Sequence, residues 1–315
     1  MTQIRDSDRE MRIEPDTVGG GYFKHAVYNH WDPYEDIPQE LLEQDRERLI
    51  DPTDALGEAE FEDLMQTLAL FGAGEESVTE DLAPLSVALE DINDQMFISS
   101  QIYEEAKHTQ FFDRYWREVV FPVAEARDFE RVAPTDQRFF PDGYVELFER
   151  TETAMERLLT DDTPENRVRA YCHYHLVVES VLAQTGYYGI TSSVSPRGDD
   201  DVATRDLPHL EGLVEGISHI RSDEGRHVGF GMQQVQTHLA EDGVDEQVVR
   251  DTLQELMPFV AETVSATDEV VDPMPLVEYA REKLTRRIDI ITDADAAVPS
   301  VEELVALDDD PAAAD

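Results

Sequence analysis

Four long stretches with the period of amphipathic helices carry charged residues on faces that are otherwise apolar, and no other feature constrains the fold as tightly. "FGAGEESVTEDLAPL" contains Glu75, "QIYEEAKHTQFF" contains Glu105 and His108, "YCHYHLVVESVLAQTGYYGI" contains Glu179, and "ISHIRSDEGRHVGFG" contains Glu224 and His227. Residues three apart lie about 60° apart around a helix axis, so Glu105 with His108, and Glu224 with His227, can each reach one point. A lone Glu-x-x-His is a weak signal in a chain this rich in glutamate, where a solvated helix face is the ordinary explanation. Two such pairs on separate helices, each following a helix with a single apolar-flanked Glu, form a pattern of another order.

The chemistry explains why a core would tolerate these residues. Four buried carboxylates alone would repel and lose hydration at a cost of several kcal/mol each, so they would take up protons. Two divalent ions bring four positive charges to four negative ones and remove that cost. One Glu from each of two helices plus a Glu-x-x-His from each of two others is the ligand arrangement of di-iron and di-manganese carboxylate bundles. Carboxylates with one imidazole per ion suit manganese and iron. Cys172 is the only cysteine, which rules out an internal disulfide and a cysteine-based zinc site. Asp223, beside Glu224, is a candidate acceptor for a ligand imidazole. His173 and His175 lack partners for a second site and read as surface or core-edge residues, as does His219, four after Glu215. Phe111, Phe112, Tyr187 and Tyr188 read as core.

Helical period runs through nearly the whole chain, at roughly 38–50, 57–90, 92–120, 137–160, 164–193, 207–241, 244–266 and 274–292, with almost no alternating strand pattern. Pro, Gly and Asp clusters such as "DDTPEN", "EDGVD" and "VDPMP" punctuate it. Long helices with short links predict an all-α bundle with the metal site in its core. We expect a flexible N-terminal segment at 1–20, one domain at 21–293 and an acidic, flexible tail at 294–315. No run of 18 or more apolar residues occurs, and the first twenty residues have neither a basic start nor an apolar middle, so a cytoplasmic protein without a membrane span is expected.

At this point the chain resembles the ferritin-like small subunits of class I ribonucleotide reductase and their relatives, over about residues 28 to 240. "GEESVT" followed by "EEAKH", "YHLVVES" and "DEGRH" is most similar to the ligand-binding oxidases, which share the reductase-subunit fold but do not serve that enzyme. The resemblance implies a manganese/iron pair, or a di-iron pair, held by Glu75, Glu105, His108, Glu179, Glu224 and His227. It also implies a long-chain fatty acid or similar apolar ligand beside the metals, activation of O2, an electron donor, and a valine–tyrosine ether cross-link, which falls on Val78 and Tyr174. A homodimer is expected. A radical-storing reductase subunit typically has its tyrosine four residues after the first ligand histidine, where this chain has Phe112, and ends in a tyrosine-bearing tail, whereas the last tyrosine here is Tyr279. The alternative is a reductase small (beta) subunit of the manganese/iron type, which also lacks that radical tyrosine. "HWDPYEDIP", with Trp31, is similar to the segment that feeds electrons in both families. Metal storage is a third, weaker reading. Glu179 and Glu224 are farther apart than the family usually shows, which we assign to an acidic insertion, "SPRGDDDVATRD", near residues 195–206.

The composition is extreme: 71 Asp plus Glu against 25 Lys plus Arg give a net charge of −46, with lysine only at Lys24, Lys107 and Lys283. Nothing basic could meet phosphates, so nucleic-acid binding is excluded. The hydrophobic content of 41% separates the chain from disordered acidic tails. An acidic, lysine-poor surface resembles proteins of salt-loving organisms, in which salt screens self-repulsion. The melting temperature should therefore rise as salt increases into the molar range; thermal scans giving a flat response from low salt to several molar would overturn the salt-adapted reading.

Overall fold

Side-chain caps and prolines set where the helices begin. The computed structural model describes residues 12–51, 56–195, 202, 207–266, 271–293 and 296–305. Its main elements are α1 (Val18–Tyr28), α2 (Gln39–Ile50), α3 (Glu58–Ala88), α4 (Ile92–Tyr115), α5 (Phe121–Ala126), α6 (Asp142–Arg157), α7 (Pro164–Tyr171), α8 (Gln184–Val194), α9 (Glu211–Glu241), α10 (Glu246–Val264), α11 (Pro273–Thr292) and α12 (Val301–Val305). π-helical segments at Trp116–Val120 and Cys172–Ala183 join α4 to α5 and α7 to α8 without a break. Thr17, Asp91, Thr163, Asp245 and Asp272 each accept a backbone N–H of the following turn. Pro164 and Pro273 follow two of these caps at the first helical position, where a missing N–H costs nothing.

α3 lies along α4, while α9 packs on both α4 and the π-helical segment Cys172–Ala183. The middles of the four stretches whose apolar faces carry charges therefore meet. α1 and α2 cover this bundle on one flank, α6 and α10 on another, and α11 and α12 pack on α8 and α9. One apolar core runs through all of it. The all-α bundle expected from the period is borne out among the described residues, and no described helix is long and apolar enough to cross a membrane.

Several boundaries differ from the sequence reading. The helix expected from residue 137 begins at Asp142, because Pro141 takes the N-cap position and Gln137–Phe139 forms a separate 3₁₀ turn. α1 begins at Val18, inside the stretch set aside as a flexible start; its glycines hide it from a propensity argument, yet Gly19 and Gly20 are buried. Within 294–315, Val301–Val305 forms α12, and Leu304 is buried against α9. Residues 1–11, 306–315 and nearly all of the insertion near 195–206 lie outside the described residues.

Glycines let α9 sit close to its neighbours. A Cβ on Gly216 would lie 2.0 Å from Cζ of Phe111 on α4, and one on Gly231 would lie 2.2 Å from Cβ of His175. Gly216→Ala should destabilise the protein by about 1–3 kcal/mol through forced displacement of the Phe111 ring. Gly21→Ala, where nothing lies within 4 Å, should be neutral or stabilising by up to about 1 kcal/mol. Urea unfolding at constant salt checks the pair; equal midpoints would show that α9 does not depend on this close approach.

Candidate metal centre

Glu75 comes from the middle of α3, Glu105 and His108 from α4, Glu179 from the π-helical segment, and Glu224 and His227 from α9. All six are buried, at 0–6% exposure. His108 Nδ1 lies 3.3 Å from Glu75 Oε2, 3.2 Å from Glu105 Oε2 and 3.6 Å from Glu224 Oε1. His227 Nδ1 lies 3.1 Å from Glu105 Oε1, 3.4 Å from Glu179 Oε1 and 3.7 Å from Glu224 Oε1. Two groups with the dimensions of a metal site result: Glu75, Glu105, His108 and Glu224, and Glu105, Glu179 and His227. Glu105 belongs to both, one oxygen toward each imidazole, as a bridging ligand would.

The donor atoms fit a pair of cations better than they fit one another. Glu179 Oε2, Glu224 Oε2 and His227 Nδ1 are buried without a hydrogen bond, an arrangement that is costly unless something else completes them. His227 Nδ1 is close to three carboxylates yet oriented for a hydrogen bond with none. Such atoms converge on a common point instead of pairing.

Each imidazole is aimed by an acid on the opposite helix. His108 on α4 holds Asp223 Oδ2 of α9 through Nε2 at 3.1 Å, and His227 on α9 holds Glu104 Oε2 of α4 through Nε2 at 3.0 Å. With each Nε2–H assigned to these acids, each Nδ1 presents its lone pair to the centre. Arg226 Nη2 donates to both acids, and Lys107 Nζ donates to Asp223 at 3.0 Å. The indole N–H of Trp31 also donates to Asp223 Oδ2, at 2.7 Å, and the Trp31 ring is stacked on both His108 and His219. Asp223 thus occupies the position its sequence neighbourhood suggested. Glu104 was missed, although the repeat of an acid directly before Glu-x-x-His in "EEAKH" and "DEGRH" signals it.

Three further residues touch the carboxylates. Tyr174 donates to Glu105 Oε1 at 3.0 Å, Tyr187 to Glu75 Oε1 at 2.7 Å, and Gln101 to Glu179 Oε1 at 2.7 Å. Tyr187 is core, as expected, but its hydroxyl is also part of the site. A regular α-helix would set Tyr174 and Glu179 about 140° apart. The i→i+5 ladder of the π-helical segment instead brings residues five apart onto a similar face, so Gln101 reaches both. His175 is a correction: it is fully buried among Tyr171, Tyr174 and Phe230, with Nε2 3.4 Å from Gln101 Oε1, instead of lying at the surface or core edge. Its apolar surroundings push its pKa well below the usual histidine range, so it is neutral. Val78, one turn after Glu75, is buried and lines an apolar channel that Glu75, Glu105, Glu179 and Glu224 also border.

No family model matches the sequence. Among solved structures, the chain is similar to R2-like ligand-binding oxidases. A tyrosine-to-phenylalanine variant with aerobically reconstituted Mn/Fe cofactor is 27% identical with a TM-score of 0.73, over 88% of this chain and 94% of that one. A glycine-to-leucine variant with anaerobically reconstituted Mn/Fe cofactor is 26% identical with a TM-score of 0.75, over 93% and 98%. A valine-to-leucine variant with aerobically reconstituted cofactor is 26% identical at 0.75, over 90% and 95%. The resemblance stated from the motifs is thereby borne out, and these neighbours are oxidoreductases.

Without metal, burial pushes the Glu75 carboxyl up to about 7 and Glu179 up to about 8, from an ordinary 4.5, and holds Glu224 well above its usual range with neighbouring carboxylates adding to the effect. Burial opposes charge on His108 and His227, but the carboxylates of Glu75 and Glu105 outweigh it and raise both. All these groups bind protons more tightly folded than unfolded; for Glu75 and Glu179 the stabilisation of the metal-free fold is present at low pH and lost as pH rises through about 7 and about 8. At constant high salt, chelated protein should melt at a lower temperature at pH 8.5 than at pH 6. Manganese(II) should bind more tightly at the higher pH and release protons, read calorimetrically as a dependence on buffer ionisation heat. PH-independent binding without proton release would show that these carboxylates do not receive the metal.

Proposed function

We propose that this chain is an O2-activating oxidase with a heterodinuclear manganese/iron cofactor held by Glu75, Glu105, His108, Glu179, Glu224 and His227. A long-chain fatty acid or similar apolar molecule occupies the adjoining channel, and an ether bond forms between Val78 and Tyr174. The observation that carries the reading is the convergence of six buried donors from four helices, three of their atoms without a hydrogen bond, beside a largely apolar channel. The similarity to oxidases solved with an Mn/Fe cofactor supports the choice of metals. We further propose a cytoplasmic homodimer from a salt-adapted organism, reduced by an electron donor that acts through the Trp31 side.

When bound, the metal pair supplies O2 activation and the electron steps that follow. Asp223 and Glu104 hold the imidazoles in the binding tautomer. Glu105 Oε1, 3.0 Å from the Tyr174 hydroxyl, is placed to receive its proton. Val78 offers its Cβ–H from the face of α3 that carries Glu75. The cross-link forms one C–O bond as Val78 loses that hydrogen and Tyr174 its O–H hydrogen; two protons and two electrons leave, with O2 as terminal oxidant. Channel residues such as Leu70, Phe71, Phe148, Val178 and Leu182 exclude water around an acyl chain.

The hydrogen bond from Trp31 to Asp223, which also holds His108, fits a second reading equally well, a reductase small subunit of the manganese/iron type. One experiment separates the two. After loading with manganese and iron under reducing conditions and admitting O2, digestion should give the Val78 and Tyr174 peptides as a single linked species, lighter by two hydrogens. It should be absent from metal-free protein and from Tyr174→Phe. Only separate, unmodified peptides would favour the reductase subunit. Glu105→Ala and His227→Ala should each lose at least one ion per chain; full metal content in both would refute the ligand assignment.

A further inference from the structure

The hydroxyl groups of the channel point to what its occupant carries, an inference that rests on reading the channel as the seat of an apolar chain. Four hydroxyl residues line it: Thr67, Tyr144, Thr185 and Thr263. Three are engaged with main-chain carbonyls: Thr67 donates to Asp63 at 3.1 Å, Tyr144 to Leu70 at 2.9 Å, and Thr263 to Phe259 at 2.9 Å. Thr185 differs. Its side chain is fully buried, and its Oγ1 has no hydrogen-bond partner among the described residues. A helical threonine readily bonds the carbonyl one turn back, as Thr67 and Thr263 do, and a buried hydroxyl left alone is disfavoured.

Thr185 stands partway along one wall of the channel. Glu179 lies roughly one and a half turns before it on the same helical run, at the metal end. Farther along that run is Gly189, whose Cβ position meets the channel residue Leu276 at 3.1 Å. No lysine, arginine or histidine is among the described lining residues, while four carboxylates are. An anionic group beside Thr185 would find no countercharge, whereas a neutral oxygen would find a hydroxyl able both to donate and to accept.

We infer that Thr185 Oγ1 anchors a neutral oxygen function carried partway along the bound chain, so that the preferred occupant is a mid-chain hydroxylated or keto acyl chain in place of a plain saturated one. A site built to hydrogen-bond an oxygen discriminates against the analogue lacking it, because its own hydroxyl is then left unpaired.

The test uses full-length protein loaded anaerobically with manganese(II), which binds without turnover. The probes are octadecanoate and octadecanoates bearing one hydroxyl at successive mid-chain positions, read by displacement of a fluorescent fatty acid. At least one hydroxylated isomer should bind about tenfold more tightly than octadecanoate. Thr185→Val, nearly isosteric, should abolish that preference, so that within this variant the hydroxylated isomers bind no more tightly than octadecanoate, and Thr185→Ser should retain it. A wild-type protein that binds octadecanoate but prefers no isomer, or a preference that survives in Thr185→Val, overturns this inference alone. If no chain of either kind binds, the reading of the channel as an acyl site falls, and this inference with it.

Discussion

Burying several carboxylates in one place sets the terms for the rest of this structure. Six acids sit within the centre and its immediate support: Glu75, Glu105, Glu179 and Glu224 facing inward, Glu104 and Asp223 behind the imidazoles, each exposed by no more than 6%. At low dielectric, uncompensated charges of this kind are untenable. The two fixed cations among them, Lys107 and Arg226, match the two supporting acids, to which they are hydrogen-bonded. The four inward acids are left without a fixed countercharge, a demand that two divalent ions would meet. Protons partly fill that role in the metal-free protein, which is why Glu75 and Glu179 hold them near neutral pH.

Around this centre the environment is lopsided. On one side His108, Asp223, Lys107 and Trp31 form a continuous polar and aromatic contact leading outward to His219. On the other, Phe71, stacked on Phe112 and Tyr187, and aliphatic side chains of α3 and the π-helical segment line an apolar space. Polar contacts lead outward on the first side, and an apolar cavity lies on the second. The helix period produces this division, because each ligand-bearing helix turns a different face to each side.

Much of the centre was legible because an α-helix converts sequence spacing into direction. A Glu and a His three apart, set in apolar surroundings, must point inward together, and both pairs do. The misjudged residues are those for which that conversion fails or is incomplete. The distance around the helix between Tyr174 and Glu179 is one such case, because a π-helix carries both and its longer period brings them closer together than 3.6 residues per turn would. Glu104 was passed over because the residue next to an inward one on a single helix should face elsewhere; it does, toward a histidine of a different helix, which no single-helix argument reveals. His175 looked peripheral for want of a partner, yet Gly231 leaves the space into which it is packed. α1 was obscured by its glycines, whose cost to the helix is offset by packing on α4.

The reciprocal support of the two imidazoles has a consequence for how the centre comes into being. Neither α4 nor α9 carries a finished half-site: each supplies a glutamate, a histidine, and the acid that aims the other helix's histidine. A small slide or rotation of one helix past the other would therefore misdirect both rings together, and Arg226, which moves with Asp223 on α9, would lose its bond to Glu104 on α4. The two candidate metal groups are therefore one mechanical unit, complete only when the helices are in register. The centre thus acts as a latch whose closure reports that the bundle has been built correctly.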